Sequence, residues 1–123
     1  MKYRAMWVVT ILVSILGIGA RAQDPPAAAK EFEIAAAKYE FTPKVIEVTV
    51  GDRVVLKAHS TDVEHGLAIK PLKVKLLIPK GGEVVTTEFV ASQVGTFPMS
   101  CSEYCGTGHS RMKGTLVVRP ASQ

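Results

Sequence analysis

Val45–His59, VIEVTVGDRVVLKAH, carries the pattern that decides how this chain folds. Two runs rich in β-branched residues, VIEVTV and RVVLKAH, stand on either side of Gly51-Asp52, a pair suited to a turn. Alternation with period two over so few residues fits strands and not helices. The pattern continues outward. EFEIAAAKYEF precedes the stretch, and HGLAIK, VKLLIP, EVVTTEFV and GTLVVRP follow it, most of them bounded by Gly, Pro or Asp. Pro79-Lys80-Gly81-Gly82 supplies turn chemistry between VKLLI and EVVTTEFV. No stretch after Lys30 keeps a helical period, although EIAAAKYE has room for a turn or two of helix. Several short strands at nearly regular spacing predict an all-β domain, a β-sandwich or small barrel with Greek-key connections.

The N-terminus reads differently. MKYRAMWVVTILVSILGIGARAQ sets Lys2 and Arg4 before an apolar run from Ala5 to Ala20 and ends it in Ala20-Arg21-Ala22. That is the layout of a secretory signal peptide over residues 1–22, with a small-residue cleavage site before Gln23. A retained anchor is the competing reading, but the 16 residues of the run fall short of the ~20 that cross a bilayer. QDPPAAAK, residues 23–30, reads as a flexible linker, which leaves residues 31–123 as the folded domain. An exported chain belongs in the periplasm or on the outer face of the cytoplasmic membrane, where disulfides are possible but not obligatory.

Export also changes the meaning of the charge. The whole chain carries +4. Lys2, Arg4 and Arg21 leave with the signal, so 12 basic and 11 acidic residues remain, and nothing in that balance calls for nucleic acid.

The chemistry is concentrated in CSEYCGTGHSRM, Cys101–Met112, just before the last predicted strand. It contains both cysteines, then His109 and Met112. A disulfide would account for the cysteines alone, and it would close a short loop, where chain entropy gives least. A redox dithiol is disfavoured by the C-x3-C spacing. Zinc would find Met a poor ligand. Two thiols, an imidazole and a thioether are the soft set that suits copper in both oxidation states. Gly106 and Gly108 let the loop curl so that these donors converge. A mononuclear copper loop needs one Cys. The second Cys allows two copper ions to be bridged, and a second imidazole must then come from upstream. His59 and His65 are the candidates, and His65, at the start of a predicted strand and before Gly66, is the better placed.

With these residues in view the sequence resembles a known family. HSTDVEHGLAI together with GTFPMSCSEYCGTGHSRMKGTLVV is similar to the CuA domain of cytochrome c oxidase subunit II, and KYEFTPKVIEVTVGDRVVL resembles its first strands. The likeness runs from about Ile34 to Val118. It implies a cupredoxin-like Greek-key β-sandwich with a binuclear copper centre. By that resemblance Cys101 and Cys105 bridge both coppers, His65 and His109 bind one each, and Met112 and the backbone carbonyl of Glu103 are weak ligands. It implies single-electron transfer between a redox protein, such as cytochrome c or another small carrier, and a terminal oxidase or reductase. Membrane association would come through an uncleaved N-terminal segment or a membrane partner. The site leaves no open position for a substrate, so a carrier is expected and not a catalyst in its own right. Two other roles are compatible with the residues: copper delivery or storage, and a disulfide-stapled structural domain.

The sequence departs from that family in three places. One short apolar segment stands where subunits usually have an anchor, the only tryptophan is Trp7, and Lys70, Lys73, Lys75 and Lys80 crowd one segment, whereas surfaces that dock basic cytochrome c are acidic. Lysines guarding a strand edge are the plain reading of that run, and a docking patch is the other.

Overall fold

A computed structural model describes residue 19 and residues 29–121, so most of the stretches read as signal and linker lie outside the described residues. The rest is the expected β-sandwich. One sheet has four strands in the order β2-β1-β4-β7, made of β1 (Lys30–Ala37), β2 (Glu40–Thr42), β4 (Arg53–Ser60) and β7 (Val85–Val90). The other has five in the order β3-β9-β8-β5-β6, made of β3 (Val45–Thr49), β5 (His65–Ile69), β6 (Val74–Ile78), β8 (Gly95–Ser100) and β9 (Lys113–Arg119). Among the described residues no helix is long and apolar enough to cross a membrane.

VIEVTV and RVVLKAH do form strands, but they pair with other partners. β3 runs parallel to β9 and β4 parallel to β1, so the Gly51-Asp52 turn carries the chain from one sheet to the other. Gly51 has φ +89°, a left-handed conformation that a side chain disfavours. Asp52 closes the crossover by accepting the Thr49 N–H at 2.8 Å and the Lys30 ammonium at 2.6 Å. Those two donors hold its carboxyl below the usual carboxylate range, Lys30 contributing most.

Two sequence expectations change. EIAAAKYE holds no helical turn, because its apolar residues fill the strand β1 through Ala37, where Ile34 and Ala36 are fully buried at period two. GTFPMS is a strand that its proline obscured. The one bridged pair between β8 and β5 is Ala68–Ser100, beyond Pro98, so the missing N–H falls where that side has no ladder.

Inward-facing side chains from both sheets build the core: Ile34, Phe41, Ile46, Leu56, Leu67, Ile69, Ile78, Met99 and Leu116 are all at most 1% exposed. Burying a side chain of this size stabilises the fold by roughly 1.5–3 kcal/mol. Met99, two residues before Cys101, is one of these core residues and fills space beneath the loop.

Candidate metal centre

Three adjacent strands of the five-stranded sheet aim donors at one end of the sandwich. In a strand, alternate residues share a face. His65 therefore lies on the core side with Leu67 and Ile69, Cys101 continues the row of Phe97 and Met99, and Met112 leads into the row of Gly114, Leu116 and Val118. The ladders continue past the strand ends, since Cys101 N–H donates to Met112 O at 3.2 Å and Ser102 N–H to Gly66 O at 3.2 Å. The same alternation that buries the core thus buries three of the proposed ligands, His65 and Met112 at 0% exposure and Cys101 at 7%.

Cys105 and His109 come from the loop between β8 and β9. A one-turn 3-10 helix, His109–Arg111, brings His109 back over the sulfurs. Gly106, at φ +134°, supplies the left-handed bend that the sequence called for. Gly108 has ordinary dihedrals, and its role is steric: Tyr39, from the turn after β1, lies against its Cα. The Tyr39 hydroxyl also pairs with Thr107 Oγ1 at 3.5 Å. Tyr39 is the buttress that sequence reasoning missed, because 68 residues separate it from Thr107.

The donor atoms converge. The Cys101 and Cys105 Sγ atoms are 3.6 Å apart, unbonded. His65 Nδ1 lies 3.9 Å from Cys101 Sγ, and His109 Nδ1 lies 3.7 Å from Cys105 Sγ. Met112 Sδ is 3.8 Å from Cys105 Sγ, and Glu103 O is 3.1 Å from Cys101 Sγ. The donor atoms of His65, Cys101 and Cys105 fall within 4.8 Å of one another. All six residues named from the sequence are brought together, Glu103 through its backbone carbonyl. His59 is not: it sits half-buried at the end of β4, against Glu33, Lys57 and Val84.

Burial pushes the Cys105 thiol up to about 11, with the neighbouring Cys101 sulfur adding to the effect. A buried thiol of this kind stays protonated near neutrality unless a cation takes the proton's place, which is what a soft metal does. The set therefore fits a thiophilic metal by chemistry as well as by distance.

A second contact fixes the ring of His65. His65 Nε2–H donates to Asp62 Oδ1 at 2.7 Å, which leaves Nδ1 directed at Cys101. Asp62 also accepts the Lys38 N–H at 2.8 Å and the Val63 N–H at 2.6 Å. Partial burial works against its charge, but these donors outweigh it, Lys38 foremost, and its pKa falls to about 2. Asp62 is thus a positioning residue, set apart from the equally exposed Glu64 by the donors it accepts. Asp62→Ala is expected to weaken metal binding about 10- to 100-fold, measured by competition with a chelator. Asp62→Asn, whose amide oxygen still accepts from Nε2–H, should recover much of the loss. Equal losses in both variants would place the effect in the charge and not in the ring's orientation.

Tyr104 is 76% exposed and tilts over the half-buried His109, with ring centroids 5.8 Å apart. It packs against nothing in the core and marks the outer margin of the cluster.

Comparison with known proteins agrees with this architecture. A family model described as a cupredoxin-like domain matches residues 8–118. Cytochrome c oxidase subunit 2 of Thermus thermophilus is 35% identical over 82 residues, 66% of this chain and 59% of that protein. The chain thus spans about three-fifths of the length of that relative. Among solved structures, the periplasmic domain of subunit II of cytochrome oxidase from Bradyrhizobium japonicum superposes with a TM-score of 0.67 at 21% identity, covering 77% of this chain and 87% of that one. Auracyanin A, a blue copper protein of Chloroflexus aurantiacus, gives 0.58 at 20%, covering 75% and 100%.

Proposed function

Since the chain belongs to the cupredoxin-like domain family, we propose that it is an exported one-electron carrier whose loop holds two copper ions. One observation carries the reading: each of two thiols 3.6 Å apart has its own imidazole Nδ1 within 3.9 Å. Cys101 and Cys105 would bridge the ions, His65 and His109 would take one each, and Met112 and the Glu103 carbonyl would complete them weakly. Bound there, copper supplies a one-electron couple shared through the bridging sulfurs.

The chain's own residues keep the donors still. Strand ends fix His65, Cys101 and Met112. Asp62 sets the ring of His65, and Tyr39 props the glycine loop. The core beneath and the buried sulfurs exclude water. A donor set that cannot relax changes little between oxidation states, and little reorganisation favours fast transfer. Residues 1–22 would direct the domain across the membrane to the periplasmic side. There it would pass electrons from a redox protein, such as cytochrome c, to a terminal oxidase.

Copper-to-protein ratio with electron paramagnetic resonance tests the reading. Two coppers per chain sharing one unpaired electron is the expected result. Blocked thiols without metal, or a mononuclear signal, would overturn it. Ready loss of copper to an acceptor apo-protein would point to delivery instead. Met112→Leu should retain both coppers and shift the reduction potential, read by voltammetry, because a thioether at the margin tunes more than it holds. Complete loss of metal in that variant would show that Met112 anchors the site.

A further inference from the structure

The outer face of the five-stranded sheet has a feature that copper binding does not use. Lys75 on β6 is paired with Ala68 on β5, Ala68 with Ser100 on β8, and Ser100 with Lys113 on β9. Directly paired residues of antiparallel strands share a face, so these four form one row across four strands. Leu67, Ile69 and Met99, which alternate with them, point into the core, so the row faces outward. Its two middle members have small side chains and its two ends are lysines. The result is a trough with a floor of Ala68 and Ser100 between basic walls. Lys70 and Lys73, from the 3-10 turn Lys70–Leu72 and its C-cap, add two more ammonium groups to the rim. The cavity has a volume of about 670 Å³, and His109 and Cys101 line it beside the lysines.

A guarded strand edge does not account for this arrangement. β6 is an edge strand, and Lys75 there blunts it. Lys113, however, belongs to β9, which is flanked on both sides by β3 and β8. Lys73 holds its place in a left-handed conformation, φ +56°, uncommon for a residue with a side chain. Lys80, which the sequence grouped with the others, does not line the trough; Lys113 takes its place. Lys30, Lys57, Arg53 and Arg119 each pair with a carboxylate, whereas the described ion pairs include none of the four trough lysines. With the charge of the exported chain nearly balanced, four unpaired ammonium groups beside two of the proposed metal ligands make a local field.

We infer that this trough is the docking surface for a redox protein that presents an acidic face to His109. The inference rests on the proposed electron-carrier function and names the partner's chemistry. Its lysines extend into solvent over a floor of small side chains, which suits carboxylates projecting from another protein's surface. Exposed Tyr104, on the margin of His109, supplies the aromatic contact that such interfaces favour. Docking there sets the partner directly against an imidazole of the metal cluster.

The test uses the copper-loaded protein and two c-type cytochromes of opposite net charge and similar potential as electron donors. Stopped-flow rates are taken at about 10 mM and about 300 mM ionic strength. The acidic cytochrome should react faster at low salt and lose about tenfold in rate at high salt. Lys73→Glu/Lys75→Glu/Lys113→Glu should reverse the preference, the neutral K73Q/K75Q/K113Q should abolish it, and Lys57→Glu, on β4 of the other sheet, should leave it unchanged. Docking is also read without electron transfer, from amide shifts of Ala68, Ser100 and Lys113 during titration with the acidic cytochrome. That titration works whether or not copper is bound, so failure of docking is distinct from failure of the copper reading. Equal rates for the two cytochromes, or shifts centred elsewhere, would overturn the inference. So would inorganic phosphate saturating the same amides more tightly than the protein, which would make the trough a small-anion site.

Discussion

Cys105→Ser is expected to reduce bound copper from two ions per chain to at most one, and to replace a shared unpaired electron by one confined to a single nucleus. Cys105 Sγ has three donor atoms around it: Cys101 Sγ at 3.6 Å, His109 Nδ1 at 3.7 Å and Met112 Sδ at 3.8 Å. Cys101 Sγ likewise has three, namely Cys105 Sγ, His65 Nδ1 and Glu103 O, so the two sulfurs are the shared centres of the cluster. Serine keeps the size and substitutes a hard, protonated oxygen for a soft sulfur, which removes the bridge while leaving the packing close to intact. His65 and Cys101 remain together 3.9 Å apart and can still offer copper a partial site. Copper analysis and paramagnetic resonance on the same sample give the result, and a thermal melt close to that of the parent shows that the fold persisted. An unchanged ratio of two would mean that Cys105 does not bridge, and the two-copper proposal would fail with it.

Sequence revealed the donors well because each is a distinctive residue in a short motif, and because one alternating pattern governs both core and site. His65 could be preferred over His59 from position alone. The structure supplies the reason: His65 begins the core-facing row of β5, and His59 lies on the far sheet among charged neighbours. Strand pairing was less legible. VIEVTV and RVVLKAH are two strands separated by a turn at Gly51-Asp52, yet each takes a parallel partner far along the chain, and no local pattern encodes that choice. Residues acting on the donors were the hardest to see. Asp62 and Glu64, beside His65, could each be read as orienting the loop, with solvated charge as the plainer reading, and only the structure shows Asp62 holding His65 through Nε2. The basic trough was half visible: Lys70, Lys73 and Lys75 are near neighbours in sequence, but Lys113 joins them only through the register of four strands.

Gly108→Ala is expected to cost the loop its shape and much of its hold on metal, although alanine is ordinarily the mildest replacement for glycine. Gly108 has φ −93° and ψ 8°, which alanine adopts without strain, so backbone freedom is not the issue. The difficulty is space. A Cβ there would lie 2.5 Å from Tyr39 Cγ and 2.6 Å from Cε2, and a ring face has no flexible end to swing aside. Either Tyr39 leaves the loop or the loop lifts from Tyr39. Overpacking of this kind costs about 1–3 kcal/mol, and the movement falls next to His109, the residue that follows. Urea midpoints and chelator competition should register both losses. Tyr39→Ala alone should loosen the loop moderately by removing its support. In the Tyr39→Ala background, Gly108→Ala should cost far less than it does alone, because the ring it collides with is gone, and that coupling is the signature of direct contact. Additive effects would instead assign Gly108 a role independent of Tyr39, and the buttress would have to be sought elsewhere in the turn after β1.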